Sequence, residues 1–186
     1  VDAGSRYYGW FPMAQYTDLH VGVTPTGLRD DGAHRSAHAP VYRTVERTDL
    51  DPLHPSRSAS PQSDIADAED RHALVRGLFL TGYLADGYLD SNGWFGADHV
   101  VVLSASSKTA IGFADCASRH DGLTIVGVTS PGNVDFVTDL GIYDSVATYG
   151  EVAACVPGDA SGAVVVDMAG NGATLTALHD ALGDRI

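Results

Sequence analysis

Ten arginines and a single lysine carry the positive charge of this chain, and that lysine, Lys108, lies in the run Ser104-Ala-Ser-Ser-Lys-Thr-Ala110. Ser104, Ser106, Ser107 and Thr109 bring four hydroxyl groups to the same short stretch. Small residues, hydroxyl donors and one cation at the start of a helix suit a phosphate group. The first helical turn adds unpaired backbone N–H groups and the positive end of the helix dipole. A second polar run, Thr129-Ser-Pro-Gly-Asn133, follows at the spacing, roughly 20 residues, where a dinucleotide fold reads the adenosine ribose. Thr129 and Ser130 are donors there, and the run holds no carboxylate. An acid would bind the ribose hydroxyls of NAD and repel a 2′-phosphate, so its absence leans towards NADP, with NAD as the alternative.

These residues need strands and helices to position them, and the pattern supplies both. His99–Leu103 reads as a buried strand and Lys108–His120 as a helix with Ala110, Phe113, Ala114 and Ala117 on one side. Leu123–Val128, Ser145–Thr148 and Ala163–Val166 read as further strands, and Val134–Leu140 and Thr174–Leu182 as helices. Such alternation predicts a parallel sheet built from right-handed crossovers. Two other readings of the turn stand beside phosphate binding. It is a structural turn only, or it is a degenerate P-loop in which Ser107-Lys-Thr109 replaces Gly-Lys-Thr and Asp167 ends the magnesium strand. The P-loop glycines are absent, with Val102 and Ser107 in their places, which removes the freedom needed to wrap a triphosphate.

Upstream the texture changes. Residues 1–47 are aromatic and β-branched, with turn signals at Pro25-Thr-Gly27 and Asp31-Gly32 and a strand expected over Tyr16–Val23. Residues 48–72 hold Pro52, Pro55 and Pro61 without an apolar period, and read as an exposed loop or insertion. From residue 73 to 186, helical segments interrupted by Gly77, Gly82 and Gly87 lead into the alternating region. The ends, Val1 and Ile186, suggest a piece of a longer protein.

The net charge of −13 argues against nucleic acid as a partner. No apolar run reaches the roughly 18 residues of a membrane helix, so no membrane association is expected. Cys116 and Cys155 form no disulfide framework and fit a reducing, cytoplasmic setting. His34 and His38 are four apart but stand among loop signals without the glutamate of a metalloprotease, so no metal site is expected. No tyrosine has a lysine four residues on, and no Gly-x-Ser-x-Gly elbow exists, which removes short-chain dehydrogenases and serine hydrolases.

Several stretches together resemble the medium-chain dehydrogenase/reductase superfamily on its quinone-oxidoreductase side. Ser104–Ala110 stands where that group has Gly-Ala-Ser-Gly-Gly-Val-Gly, and Gly127–Ser130, Asp139–Tyr149 and Val164–Gly170 are similar to its later strands and turns. More closely, Tyr8-Gly-Trp-Phe-Pro-Met13, Leu78-Phe-Leu-Thr81, Thr129–Asn133 and Asp167-Met-Ala-Gly-Asn171 resemble a branch set apart as a domain of unknown function. The resemblance implies an α/β chain, part of a GroES-like β-rich domain followed by a partial Rossmann-type parallel sheet. It implies a zinc-independent, NADP-preferring oxidoreductase acting on a small molecule, with a homodimer as its assembly. Cofactor contacts would come from Ser104, Ser106, Ser107, Lys108, Thr109, Thr129, Ser130, Asn133, Ala169 and Gly170, while the catalytic residues stay unassigned. Asn133 stands near where quinone oxidoreductases carry a lysine for the NADP phosphate, which leaves Ser130 as the main support for NADP. Tyr83 and Thr81 would come near the nicotinamide in that geometry, or Tyr83 would be a packed residue of a linker helix. A binding or assembly protein on the same scaffold, without catalysis, is the rival reading.

Overall fold

The computed structural model describes residues 4–54 and 62–186, with side chains for 4–54 and 67–186. The chain is mixed α/β and divides into two compact units, Val1–Leu74 and Val75–Ile186. In the first unit, strands β1 (Tyr7–Gly9), β2 (Val21–Val23), β3 (Gly27–Asp30) and β4 (Thr44–Arg47) form an antiparallel sheet in the order β1-β4-β3-β2. The strand expected from Tyr16 is confined to Val21–Val23, the three residues that pair with Leu28, Arg29 and Asp30. His20 O still accepts from Asp31 N–H at 2.7 Å, but residues 16–19 have no such backbone partner among the described residues, so their side chains alone do not hold them extended. Asp30 is buried and accepts from Gly32 N–H at 2.9 Å, which closes the turn that leads into a 3-10 turn at Ala33–Arg35.

The second unit carries the parallel sheet. Strands β5 (His99–Leu103), β6 (Thr124–Thr129), β7 (Ser145–Thr148) and β8 (Ala163–Asp167) lie in the order β7-β6-β5-β8, all parallel. Alternate residues of β5 feed two cores. Val100 and Val102 pack with Ala110, Phe113, Ala114 and Ala117 of helix α2 (Lys108–Ala117). Val101 and Leu103 pack with Leu178 and Leu182 of helix α4 (Gly172–Leu182). Burial on both faces explains why β5 is apolar from Val100 to Leu103 rather than alternating. Helix α3 (Val134–Asp139) links β6 to β7. The expected elements appear within one to three residues at their ends, which is the span over which helix and strand termini fray.

Helix α1 (Gln62–Ser91) corrects the sequence reading twice. Of the loop expected over 48–72, residues 55–61 lie outside the described residues, and from Gln62 the chain is helical. The segment from Gln62 to Arg76 has no proline or glycine and is acidic near its start, which suits the helix dipole. The second correction is that Gly77, Gly82 and Gly87 interrupt nothing. Gly82 is there because α2 passes too close for a side chain: a Cβ on it would sit 2.5 Å from Phe113 N and 2.9 Å from Thr109 O. Gly112 answers from α2, where a Cβ would meet Phe79 Cα at 3.1 Å. Packing outweighs the helix penalty of glycine, which is about 1 kcal/mol.

The end of α1 is tied to the end of α2. His120 lies between Asp86, at 3.1 Å, and Asp90, at 3.5 Å, and Trp94 stacks edge-on at 5.3 Å from the His120 ring. Trp94 and Phe95 both take positive φ, 51° and 52°, a strained conformation for non-glycine residues that surrounding packing must hold. Trp94 is buried against Phe113.

The helix contact generates a paired prediction. Gly82→Ala forces its Cβ onto α2 backbone and lowers stability by about 1–3 kcal/mol, whereas Gly87→Ala, which meets nothing within 4 Å, raises it by about 0.5–1 kcal/mol. Thermal melting of the two variants checks this; shifts of the same sign contradict the packing account.

Candidate functional site

Strand order reverses between β5 and β8. The chain moves outward from β5 through β6 to β7, then returns to the other side of β5. In such sheets ligands bind beyond the carboxyl ends of the strands at the reversal. The residues found there are the turn Ser104–Ser107 after β5, Thr129–Asn133 after β6 and the turn after Asp167 of β8.

The turn after β5 reproduces a glycine conformation with serine. Ser104 has φ 58°, in the left-handed region, and accepts Ser107 N–H on its carbonyl at 2.8 Å. Two tyrosines hold it. Ser104 N–H donates to Tyr149 Oη at 3.1 Å, and Tyr143 Oη donates to the carbonyl of buried Ala105 at 3.0 Å. Burial pushes the Tyr143 phenol well above its ordinary pKa, so it remains a protonated donor. Its ring reaches Ala105 by lying across Gly127 of β6, where a Cβ would stand 2.9 Å from the ring.

Helix α2 then opens with Ser107 as N-cap, its Oγ accepting from Ala110 N–H at 3.3 Å. Ile111 N–H bonds Ser107 O at 2.9 Å. The N–H groups of Lys108 and Thr109 have no acceptor among the described residues; the carbonyl of Ser104 accepts from Ser107 N–H and that of Ala105 from Tyr143 Oη. Two aligned donors at the positive end of a ten-residue helix are the means of holding an anion.

The two polar runs singled out in the sequence meet in space. Ser106 Oγ accepts from Asn133 Nδ2 at 3.1 Å and from Thr129 Oγ1 at 3.4 Å, and Asn133 also donates to Ser130 Oγ at 3.1 Å. This group is neutral. Asp135, the nearest acid in sequence, stands on the first turn of α3.

Other expected residues lie apart. The Lys108 side chain makes no hydrogen bond to the serine group; it lines an apolar recess with Val75, Phe79 and Ile111. Ala169 and Gly170 N–H both donate to Asp167 Oδ1, at 2.7 and 2.9 Å, so they brace their own turn. Tyr83 is exposed rather than packed, and the Thr81 hydroxyl closes back on Gly77 O at 3.1 Å. His34 lies 3.9 Å from Asp30, and no group of His, Cys, Asp and Glu that could hold a metal exists among the described residues. Cys116 and Cys155 are free thiols, both pushed up by burial. No described helix is long and apolar enough to cross a membrane. Sequence reasoning misses Tyr143 and Tyr149; their one signal is that they flank the short strand β7, two residues before it and one after.

Fold and site together define a doubly wound sheet with a polar, helix-capped turn at its reversal point, the class that binds ligands beyond its strand ends. A family model described as "Protein of unknown function (DUF2855)" matches residues 1–186, and the chain belongs to that family. No curated protein matches it. Among solved structures, the D-arabinose dehydrogenase from Sulfolobus solfataricus aligns with 21% identity and a TM-score of 0.49, over 77% of this chain and 41% of that one. The quinone oxidoreductase from Thermus thermophilus, whose complex with NADPH is also known, aligns with 22% identity and a TM-score of 0.46, over 84% and 48%. The chain spans less than half the length of either protein.

The tyrosine brace predicts a stability loss. Tyr143→Phe leaves the buried Ala105 carbonyl without its donor and costs about 1–3 kcal/mol, measured by urea denaturation. A variant as stable as the parent contradicts the brace.

Proposed function

We propose that this chain is the nucleotide-binding part of a nicotinamide-dependent oxidoreductase of the medium-chain reductase type, with a small-molecule substrate. The observation that carries the reading is the open first turn of α2 at the sheet reversal, joined by hydrogen bonds of Ser106 to the Thr129–Asn133 group. The donor set fits a dinucleotide. The free N–H groups of Lys108 and Thr109, with the hydroxyls of Ser104 and Thr109, would hold the pyrophosphate. Thr129, Ser130 and Asn133 would meet the adenosine ribose. Lys108 contributes through its backbone there, not through its ammonium. The cofactor supplies hydride transfer when bound; the residues described hold and orient it.

NADP is the preferred form in this reading because hydroxyl and amide groups, with no carboxylate, stand at the sugar position. One observation favours a scaffold without catalysis. Ser106 Oγ already accepts from Thr129 and Asn133, which fills its acceptor sites and leaves a ligand only its O–H.

Fluorescence titration with NADPH, NADH and magnesium–ATP separates these readings. NADPH binds saturably and more tightly than NADH, and Asn133→Asp weakens NADPH by about tenfold or more while NADH is little changed, since the new carboxylate faces only the 2′-phosphate. Binding of ATP with indifference to NADPH overturns the proposal. Failure to bind any of the three assigns the chain to the non-catalytic scaffold.

A further inference from the structure

A recess of about 320 Å³ opens on the α2 side of the parallel-sheet unit. Its walls are Val75 and Phe79 of α1, Ile111 of α2, and Leu140 and Ile142, which follow α3. Val75 and Phe79 remain 41% and 38% exposed, so apolar surface stands open to water at the position where α1 crosses α2. The walls have two charges beside them, Lys108 and Asp115, on the same α2 face as Ile111 by helical spacing. Asp115 is already paired, with Arg119 Nη2 at 2.6 Å from Oδ2. The Lys108 ammonium has no ion pair or hydrogen bond to a described residue. A chain of net charge −13 thus places its one lysine, uncompensated, at the rim of an apolar hollow.

We propose that this recess binds a small amphipathic carboxylate. Its apolar body lies against Phe79, Ile111 and Ile142, and its carboxylate pairs with the Lys108 ammonium. The volume is at the small end of the range for ligand pockets, about 300–1,000 Å³, which suits a medium-length aliphatic acid rather than a long-chain lipid. A carboxylate is met by one cation, whereas a phosphate dianion costs more to desolvate beside apolar walls, which favours a single negative charge. This site is separate from the serine turn and does not rest on the nucleotide reading. The backbone of Lys108 faces the first-turn anion position while its side chain serves the recess.

The test is isothermal titration calorimetry of the full chain with sodium octanoate, octan-1-ol and inorganic phosphate. Octanoate binds saturably at one site, and more tightly than octan-1-ol. Lys108→Ala weakens octanoate by about tenfold without altering octan-1-ol binding, and Lys108→Arg restores it. Lys108 is exposed, and circular dichroism of each variant confirms the fold. Octanoate affinity unchanged in Lys108→Ala, equal binding of acid and alcohol, or a preference for phosphate overturns the proposal. Octanoate titration repeated with NADPH at saturation keeps the two sites distinct: octanoate affinity is unchanged, and competition between the two ligands overturns the proposal.

Discussion

Two glycines set the distance between α1 and α2, and much of the second unit follows from that distance. With no Cβ at Gly82 or Gly112, the helix backbones touch, and α2 is pressed between α1 on one side and β5 on the other. Phe113 then fills the space beneath Trp94, and His120 closes the far end of the contact through Asp86 and Asp90. A helix held along its length in this way has little freedom at its first turn. The positions of the Lys108 and Thr109 N–H groups, the proposed anion site, are consequences of the glycine contact. A site on a clamped helix is preorganised without contributing any contact to a ligand.

The turn that feeds this helix solves the same problem with different residues from a glycine-rich loop. Ser104 takes the left-handed conformation that glycine adopts freely, and such a residue costs free energy of order 1–3 kcal/mol. The phenols of Tyr149 and Tyr143 offset that cost by pairing its N–H and the next carbonyl. Serine in place of glycine adds hydroxyls near the proposed phosphate position, but it also lets the turn bond within the protein, as Ser106 does by accepting from Thr129 and Asn133. Affinity therefore depends on how far a ligand's bonds exceed those that the loop already makes.

The elements most legible in the sequence are those whose residues face buried surfaces on both sides. Val100–Leu103 has no polar residue to misplace it, and Ala110, Phe113, Ala114 and Ala117 recur at helical spacing because one face of α2 is dry. The convergence of Ser106 with Thr129, Ser130 and Asn133 is also legible, since adjacent parallel strands must end side by side. What is not legible depends on long-range packing. Gly77, Gly82 and Gly87 read as breakers because helix propensity is local, whereas Gly82 is explained only by a neighbour some 30 positions away in the chain. The same limit hides Tyr143 and Tyr149, whose roles appear once β7 lies beside β6. It also hides that Lys108 lines a recess beside Ile111 and Asp115.

We propose that the first turn of α2, seated by the glycine contact, is an anion site for a dinucleotide. Amide chemical-shift mapping by NMR during an NADPH titration tests it directly. The amides of Lys108 and Thr109 are expected to move most, followed by those of Ser104–Ser107 and Thr129–Asn133. Shifts confined to α4 or to the antiparallel sheet of the first unit, with the first turn of α2 unmoved, would contradict it.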